Sequence, residues 1–303
     1  EPDGAETLWF EGQGGVRLRA MLAPAAGSAR GTILLCPGRT EFVEKYFEVA
    51  RELTRRGFIV LCMDWRGQGL SAREAGNPLK GHIATLDDAG ADLQTALQLF
   101  RDRLVRPHIG LAHSMGGAIM LRALQTRRVE VDAAVFSAPM WGIPQLSGIV
   151  RGYARFMTSM GWGKSYAPGV TTRWKRENFR KNLVTHDQDR HARCQDLIEA
   201  EPRLALAGPT LSWLAAAAEA IDGFVQPNAL EHLRIPVLVA SAGQERLVDN
   251  ASHARVVGAL SDATHIVVPG ARHEIMMETD EIQRPFWEAF DRLVERVAPR
   301  KAA

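Results

Sequence analysis

Five short runs of this chain are apolar almost from end to end: Thr32–Cys36, Phe58–Met63, Ile109–Ala112, Ala133–Ser137 and Val237–Ala242. A strand with one wet face alternates apolar and polar residues, so a strand that does not alternate must be covered on both faces. Helical stripes separate the runs. Val43–Arg56 places Val43, Phe47, Ala50 and Leu53 on one side and stops at Gly57. Thr85-Leu86-Asp87-Asp88 has the form of a capping box and opens a helix striped by Leu86, Ala89, Leu93, Leu97, Phe100 and Leu104. Arg101 and Arg103 suit the negative end of that helix. Later come a helix at Ser252–Leu260, a strand at Thr264–Val268 and a helix at Glu281–Val297. At the start, Thr7–Glu11 and Val16–Leu22 read as a hairpin. Strands alternating with helices give an α/β class with a mostly parallel sheet covered by helices on both faces. Functional groups then belong in loops at the C-terminal ends of the strands.

Residues 140–228 break the alternation. They show helical patches such as Leu211–Ile221, many aromatic residues and no clear strand. The expected organisation is therefore a core made of residues 1–139 and 229–303, with residues 140–228 inserted as a mainly helical cap. Between Arg151 and Lys181 the cap carries eight basic residues and one acidic residue, Glu177. The whole chain of 303 residues has a formal charge of only +2, which gives no footprint for a nucleic-acid partner. Cys36, Cys62 and Cys194 are too few for a disulfide framework and point to a reducing, cytoplasmic setting. No secretory signal or membrane-spanning run is visible.

The densest chemistry lies at Pro107–Thr126. The apolar strand Ile109-Gly110-Leu111-Ala112 meets the helical run Gly117–Leu124 with no room for an ordinary loop, and Ser114 sits at the junction. A sharp strand–Ser–helix turn exposes a nucleophilic hydroxyl and requires small residues at −2 and +2. Those positions hold Ala112 and Gly116, so Ala replaces the more usual Gly at the first. The helix N-terminus beside the serine can hold a developing oxyanion.

A serine nucleophile needs a base and an orienting acid, which on such a sheet follow in the order Ser, acid, His. His253 and His265 fall inside a helix and at a strand start, where structural roles are the plainer reading. His273 follows the strand ending at Val268 and is the expected base. The acid belongs just past Val237–Ala242. Glu245 lies three residues beyond it and is preferred; Asp249 is the alternative, although it also suits a helix N-cap. The main-chain N–H groups of Arg39 and Met115 are the expected oxyanion donors. Gly38, His113 and Trp141 are the expected substrate contacts.

Four stretches together resemble α/β-hydrolases of the bacterial lysophospholipase and monoacylglycerol-lipase group. They are Cys36-Pro37-Gly38-Arg39-Thr40-Glu41, Asp64–Ser71, Ala112-His113-Ser114-Met115-Gly116-Gly117 and Gly270-Ala271-Arg272-His273-Glu274. The cap stretches Leu183–Asp187 and Leu206–Trp213 are similar to the lysophospholipase branch. The resemblance implies an α/β-hydrolase fold and a serine ester hydrolase working through an acyl-enzyme. It implies a single-acyl lipid as substrate. The aromatic cap suits one acyl chain, and the basic run suits peripheral contact with a membrane surface.

Other signals point elsewhere and are weaker. Gly67-Gln68-Gly69-Leu70-Ser71-Ala72 mimics a dinucleotide fingerprint but lacks the second strand such a site needs. His186-Asp187-Gln188-Asp189-Arg190-His191 offers metal-type donors at irregular spacing. No cofactor, metal or nucleic acid is expected. Two alternatives remain open on the same residues: a carboxylesterase or lactonase acting on small soluble esters, and a non-catalytic binder of a hydrophobic ligand.

Overall fold

The apolar runs form the middle of one eight-stranded sheet. The strands are β1 (Glu6–Glu11), β2 (Arg17–Ala23), β3 (Gly31–Cys36), β4 (Phe58–Asp64), β5 (His108–His113), β6 (Ala133–Ser137), β7 (Val237–Ala242) and β8 (Ala263–Val268). Their spatial order is β1-β2-β4-β3-β5-β6-β7-β8. The pairs β1–β2 and β2–β4 are antiparallel, and the other five are parallel. This computed structural model describes residues 1–300; the last three positions of the expected second core segment lie outside them.

Coverage on both faces can be read from alternate residues of one strand. In β3, Ile33 and Leu35 pack with α1 (Phe47–Arg55) and α8 (Asp280–Val297). Leu34 and Cys36 face the other way, toward α2 (Leu86–Leu99) and α3 (Ser114–Gln125). The completely apolar strand is thus the one with two dry faces. Phe286 and Phe290 dock α8 and are fully buried, each contributing about 1.5–3 kcal/mol.

Several helix ends differ from expectation by a few residues, and two of them show the cause. The first begins with a tight 3₁₀ turn, Val43–Tyr46, before α1 proper. There the Val43 N–H donates to Asp64 Oδ1 at 2.9 Å, and the Tyr46 hydroxyl turns onto Glu41 at 2.6 Å. The second, α2, is capped by Thr85, whose hydroxyl accepts from Asp88 N–H at 3.0 Å. It ends at Leu99, and Arg101–Arg103 form a separate turn.

Between β6 and β7 the chain holds α4 (Gly148–Met157), α5 (Gln188–Ala200) and α6 (Leu211–Phe224). Of these, α6 lays Trp213, Ala217, Ile221 and Phe224 into the same apolar cluster as α2 and α3. Its run of alanines permits that close approach. The last helix to place is α7 (Asn250–Val257).

Strand register sets the site. Cys36 is opposite Ala112, His113 is opposite Ser137, and Ala242 is opposite Val268. The strand ends are therefore level, and the loops after β3, β5, β7 and β8 leave the sheet along one edge.

Candidate active site

Ser114 is the first residue of α3 and has φ +49°, a left-handed conformation that is uncommon for a residue with a side chain. The turn is this tight because α3 presses against β3. A Cβ at Gly116 would stand 2.3 Å from the Cys36 carbonyl oxygen, and one at Gly117 would stand 2.7 Å from Pro139 Cβ. Ala112 is fully buried between Cys36 of β3 and Phe136 of β6, so its methyl fits where the pattern more often has Gly.

The other two groups arrive from β7 and β8. His273 Nε2 lies 2.9 Å from Ser114 Oγ, and His273 Nδ1 lies 2.8 Å from Glu245 Oε2. The second carboxylate oxygen of Glu245 accepts from the N–H groups of Arg246 at 2.9 Å, Leu247 at 2.8 Å and Val248 at 3.3 Å. Burial pushes this carboxyl up, but His273 and the amides of Leu247 and Val248 outweigh it and hold the group below the usual range. With Nδ1–H donated to the acid, Nε2 is free to accept the serine proton.

Asp249, the alternative acid, caps α7: its side chain accepts from Ala251 N–H at 2.9 Å and pairs with Arg255 at 3.1 Å. His253 and His265 both bond the Ser241 hydroxyl, at 2.7 and 2.8 Å, and His253 also donates to Pro139 O. Neither histidine reaches Ser114.

Ser114 and His273 open onto a cavity of about 630 Å³. Its apolar wall includes Ile143, Leu146 and Val150, with Leu214 of α6 and Val248 beside them. Arg39 and His113 line it too, whereas Gly38 and Trp141 do not. Such a volume suits a drug-sized organic ligand.

Comparisons with known proteins give the family. The family described as serine aminopeptidase, S33 matches residues 27–280. The chain belongs to this family. Lysophospholipase L2 of Escherichia coli is 33% identical over 276 residues, covering 83% of this chain and 76% of the relative. A monoacylglycerol lipase of Mycolicibacterium smegmatis is 27% identical, covering 90% of this chain and 91% of the relative. A soluble variant of the monoglyceride lipase of Saccharomyces cerevisiae superposes with a TM-score of 0.76 at 17% identity, over 98% of this chain and 97% of that one. The fold is that of the α/β-hydrolases, and the family is one of serine hydrolases.

In this S33 member, several groups behind the serine were not legible as site residues. Glu41 accepts from the Gly38 N–H, from Lys45 at 2.8 Å and from the Tyr46 hydroxyl at 2.6 Å. Lys45 also pairs with Glu274, next to the histidine, at 2.6 Å. Burial pushes Glu41 up, but Lys45 and His113, with hydrogen bonds from Lys45 and Tyr46, bring it down to about 2. Glu274 goes the other way, since burial outweighs its contact with Lys45. From the loop after β4, Gln68 donates to the Gly38 and Glu41 carbonyls at 2.7 and 3.0 Å, and the Trp65 indole donates to Pro37 O at 2.8 Å. The stretch that mimics a dinucleotide fingerprint is thus part of a clamp on the Pro37–Arg39 loop. Met115 lies in the first turn of α3, where amide N–H groups have no intrahelical partner.

Two expected substrate contacts are corrected. Trp141 is fully buried, donates to Gly117 O at 3.2 Å and packs edge-on to Phe136, so it supports the elbow from below. Gly38 is enclosed: a Cβ there would stand 2.8 Å from Glu41 Oε2 and 2.9 Å from His113 Cδ2. His113 does face the cavity, with its ring 4.8 Å from that of His273. Burial lowers its pKa to about 4, so it is neutral at pH 7 and its Nδ1–H donates to Ser137 O at 3.0 Å.

The segment between α4 and α6 holds the histidine loop in place. Glu278 accepts from Arg272 N–H and His186 N–H at 2.7 Å and from His186 Nδ1 at 2.9 Å. The Glu274 N–H donates to Val184 O at 2.8 Å. His191 lies 3.2 Å from Glu177, so the two histidines with metal-type spacing are spent on carboxylates.

Proposed function

We propose that this serine hydrolase cleaves the acyl ester of a single-acyl glycerolipid, lysophospholipid ahead of monoacylglycerol. Ser114 is the nucleophile, His273 the base and Glu245 the group that orients it. The observation that carries this reading is the hydrogen-bonded chain Glu245–His273–Ser114 at the mouth of a largely apolar cavity. Residues 140–228 act as the cap over it.

Ser114 Oγ attacks the ester carbonyl as its proton passes to His273 Nε2. The N–H groups of Arg39 and Met115 hold the oxyanion. Collapse breaks the C–O bond to the glycerol oxygen, which takes the proton from His273. Water, deprotonated by the same nitrogen, then attacks the acyl-serine and releases the fatty acid.

Two features support a lipid surface as the place of work. Along α4 and the turn after it, Ile149, Tyr153, Phe156, Met160 and Trp162 are exposed, and Ile149 and Tyr153 also line the cavity. The basic run is weaker in three dimensions than in sequence. Arg151 and Arg155 pair with Asp222, and Arg176 pairs with Asp196 and Glu199. Eight less three leaves Lys164, Arg173, Lys175, Arg180 and Lys181 without an ion pair among the described residues, enough for attraction of about 1 kcal/mol each near an anionic surface. No helix among those described is long and apolar enough to cross a membrane. The cysteine pattern and these surfaces favour work at the cytoplasmic membrane face.

The test compares turnover of lysophospholipid, monoacylglycerol and a short soluble ester at low and high salt. Faster lipid turnover that falls with salt supports the reading. A wide advantage for the short ester, with no salt effect on the lipids, refutes it.

A further inference from the structure

The charged side chains lining the cavity are not equally satisfied. Glu41 and Glu274 share Lys45. Arg39 has no carboxylate within ion-pair distance among the described residues, and one protein acceptor, Ala207 O, 2.7 Å from Nη2. Its Nε is sealed from solvent and bonds to nothing. The guanidinium lies over the Trp213 ring, 5.4 Å from its centre. Burial lowers its pKa to about 10, which leaves it a cation at neutral pH. Other enclosed arginines are treated differently. Arg19 has Glu44 and Asp64, Arg66 has Asp92, and Arg73, which also lacks a carboxylate, has three carbonyl oxygens.

A guanidinium has five N–H donors and is unfavourable in an apolar wall without an anion. Arg39 lines the cavity that holds Ser114, and the end of its side chain lies between Ala207 O, Gly81 and the Trp213 ring. What would complete the site is an anionic oxygen group on the bound molecule, and planar guanidinium donors match phosphate oxygens well. We propose that the Arg39 side chain is the head-group recognition element of this site, binding the phosphodiester of a lysophospholipid while Ser114 attacks its acyl ester. This rests on the single-acyl reading above. It assigns the side chain a task separate from the main-chain N–H of the same residue.

The experiment measures kcat/KM for a lysophospholipid and a monoacylglycerol carrying the same acyl chain, in the wild type, Arg39→Met and Gly81→Ala. The second variant leaves Arg39 and its amide in place. An added Cβ at Gly81 would stand 2.6 Å from Arg39 Nη2 and so displaces the guanidinium. The ratio of lysophospholipid to monoacylglycerol kcat/KM should fall about 10- to 100-fold in Arg39→Met, the range for losing a charge-assisted hydrogen bond, and in the same direction in Gly81→Ala. Glycerol 3-phosphate should inhibit monoacylglycerol hydrolysis by the wild type and lose that effect in both variants. An unchanged ratio overturns the assignment. So does a parallel fall on both lipids, which would place the guanidinium at the oxyanion instead. Inhibition by free fatty acid alone, with none by glycerol 3-phosphate, would make the bound anion the product carboxylate and also overturns it. A wild type that cleaves neither lipid overturns the functional reading itself.

Discussion

Replacing Glu245 by Gln tests the acid through a specific geometric trap. One carboxylate oxygen is held by three main-chain N–H groups and the other faces His273 Nδ1 at 2.8 Å. In Glu245→Gln the amide oxygen must take the three-donor position, because an NH₂ there would meet three N–H groups. The NH₂ then points at His273 Nδ1. A donor facing Nδ1 forces the proton onto Nε2, so His273 donates toward Ser114 and cannot take its proton. Neutralising a triad acid in this way costs about 10⁴ in turnover, or about 5.5 kcal/mol of transition-state stabilisation. The fold should survive, since size and most contacts are kept. Asp249→Asn is the control. Asn caps as well as Asp, so stability should change by less than about 0.5 kcal/mol and turnover by less than about twofold. The assay is initial-rate hydrolysis of a chromogenic ester, with thermal unfolding of each variant alongside. If Glu245→Gln keeps more than about a tenth of wild-type turnover, or if Asp249→Asn is the variant that collapses, the tautomer argument is wrong.

Ser114→Ala should abolish fluorophosphonate labelling and ester turnover with little loss of stability, read by mass mapping of the labelled peptide and by thermal unfolding. Glu41→Gln should destabilise the protein by about 1–3 kcal/mol, measured by denaturant unfolding, and lower kcat through the Pro37–Arg39 loop. Because Glu41 has its folded pKa held below the unfolded value, its contribution is present above about pH 4.3 and lost as pH falls toward 2. The Tm gap between the wild type and Glu41→Gln should therefore close on acidification; a constant gap down to pH 2 would refute the charge argument. Phe156→Ser with Met160→Ser should weaken sedimentation with anionic vesicles and lipid turnover while sparing a short soluble ester.

Much of the architecture was legible because it rests on local signals. Apolar runs without alternation could only be doubly covered strands, and Ser114 could only be a tight turn between Ala112 and Gly116. What was not legible was long-range pairing of polar groups. Glu41, Lys45 and Tyr46 look like the start of an ordinary amphipathic helix. Gln68 looks like a loop residue. Lys45 meets Glu274, and Gln68 meets the Gly38 and Glu41 carbonyls, only because the sheet brings them near. Trp141 is hidden for the same reason: an aromatic residue opening the inserted segment suggests a pocket wall, but its indole N–H is spent on Gly117 O. The basic run is more cationic in sequence than in space, because Asp222, Asp196 and Glu199 lie alongside it.

The same long-range pairing explains how a strained site can be rigid. The loop after β3 makes no ladder beyond Cys36, so no neighbouring strand holds it. Its stiffness comes from four directions. Trp65 and Gln68 fix the carbonyls of Pro37 and Gly38, Glu41 fixes the Gly38 N–H, and Gly116 lets α3 press against the Cys36 and Pro37 carbonyls. Glu41 is in turn tied through Lys45 to Glu274, the residue after the histidine. The Pro37–Arg39 loop and the loop that carries His273 are therefore two ends of one buried charge network. A change that loosens either end should be felt at the other, and donors held before the charge develops need no reorganisation when it does. That pre-set arrangement also gives a physical use for the left-handed backbone at Ser114. The left-handed turn costs about 1–3 kcal/mol, and the surrounding packing sustains it because the turn points Oγ at His273 and away from the sheet.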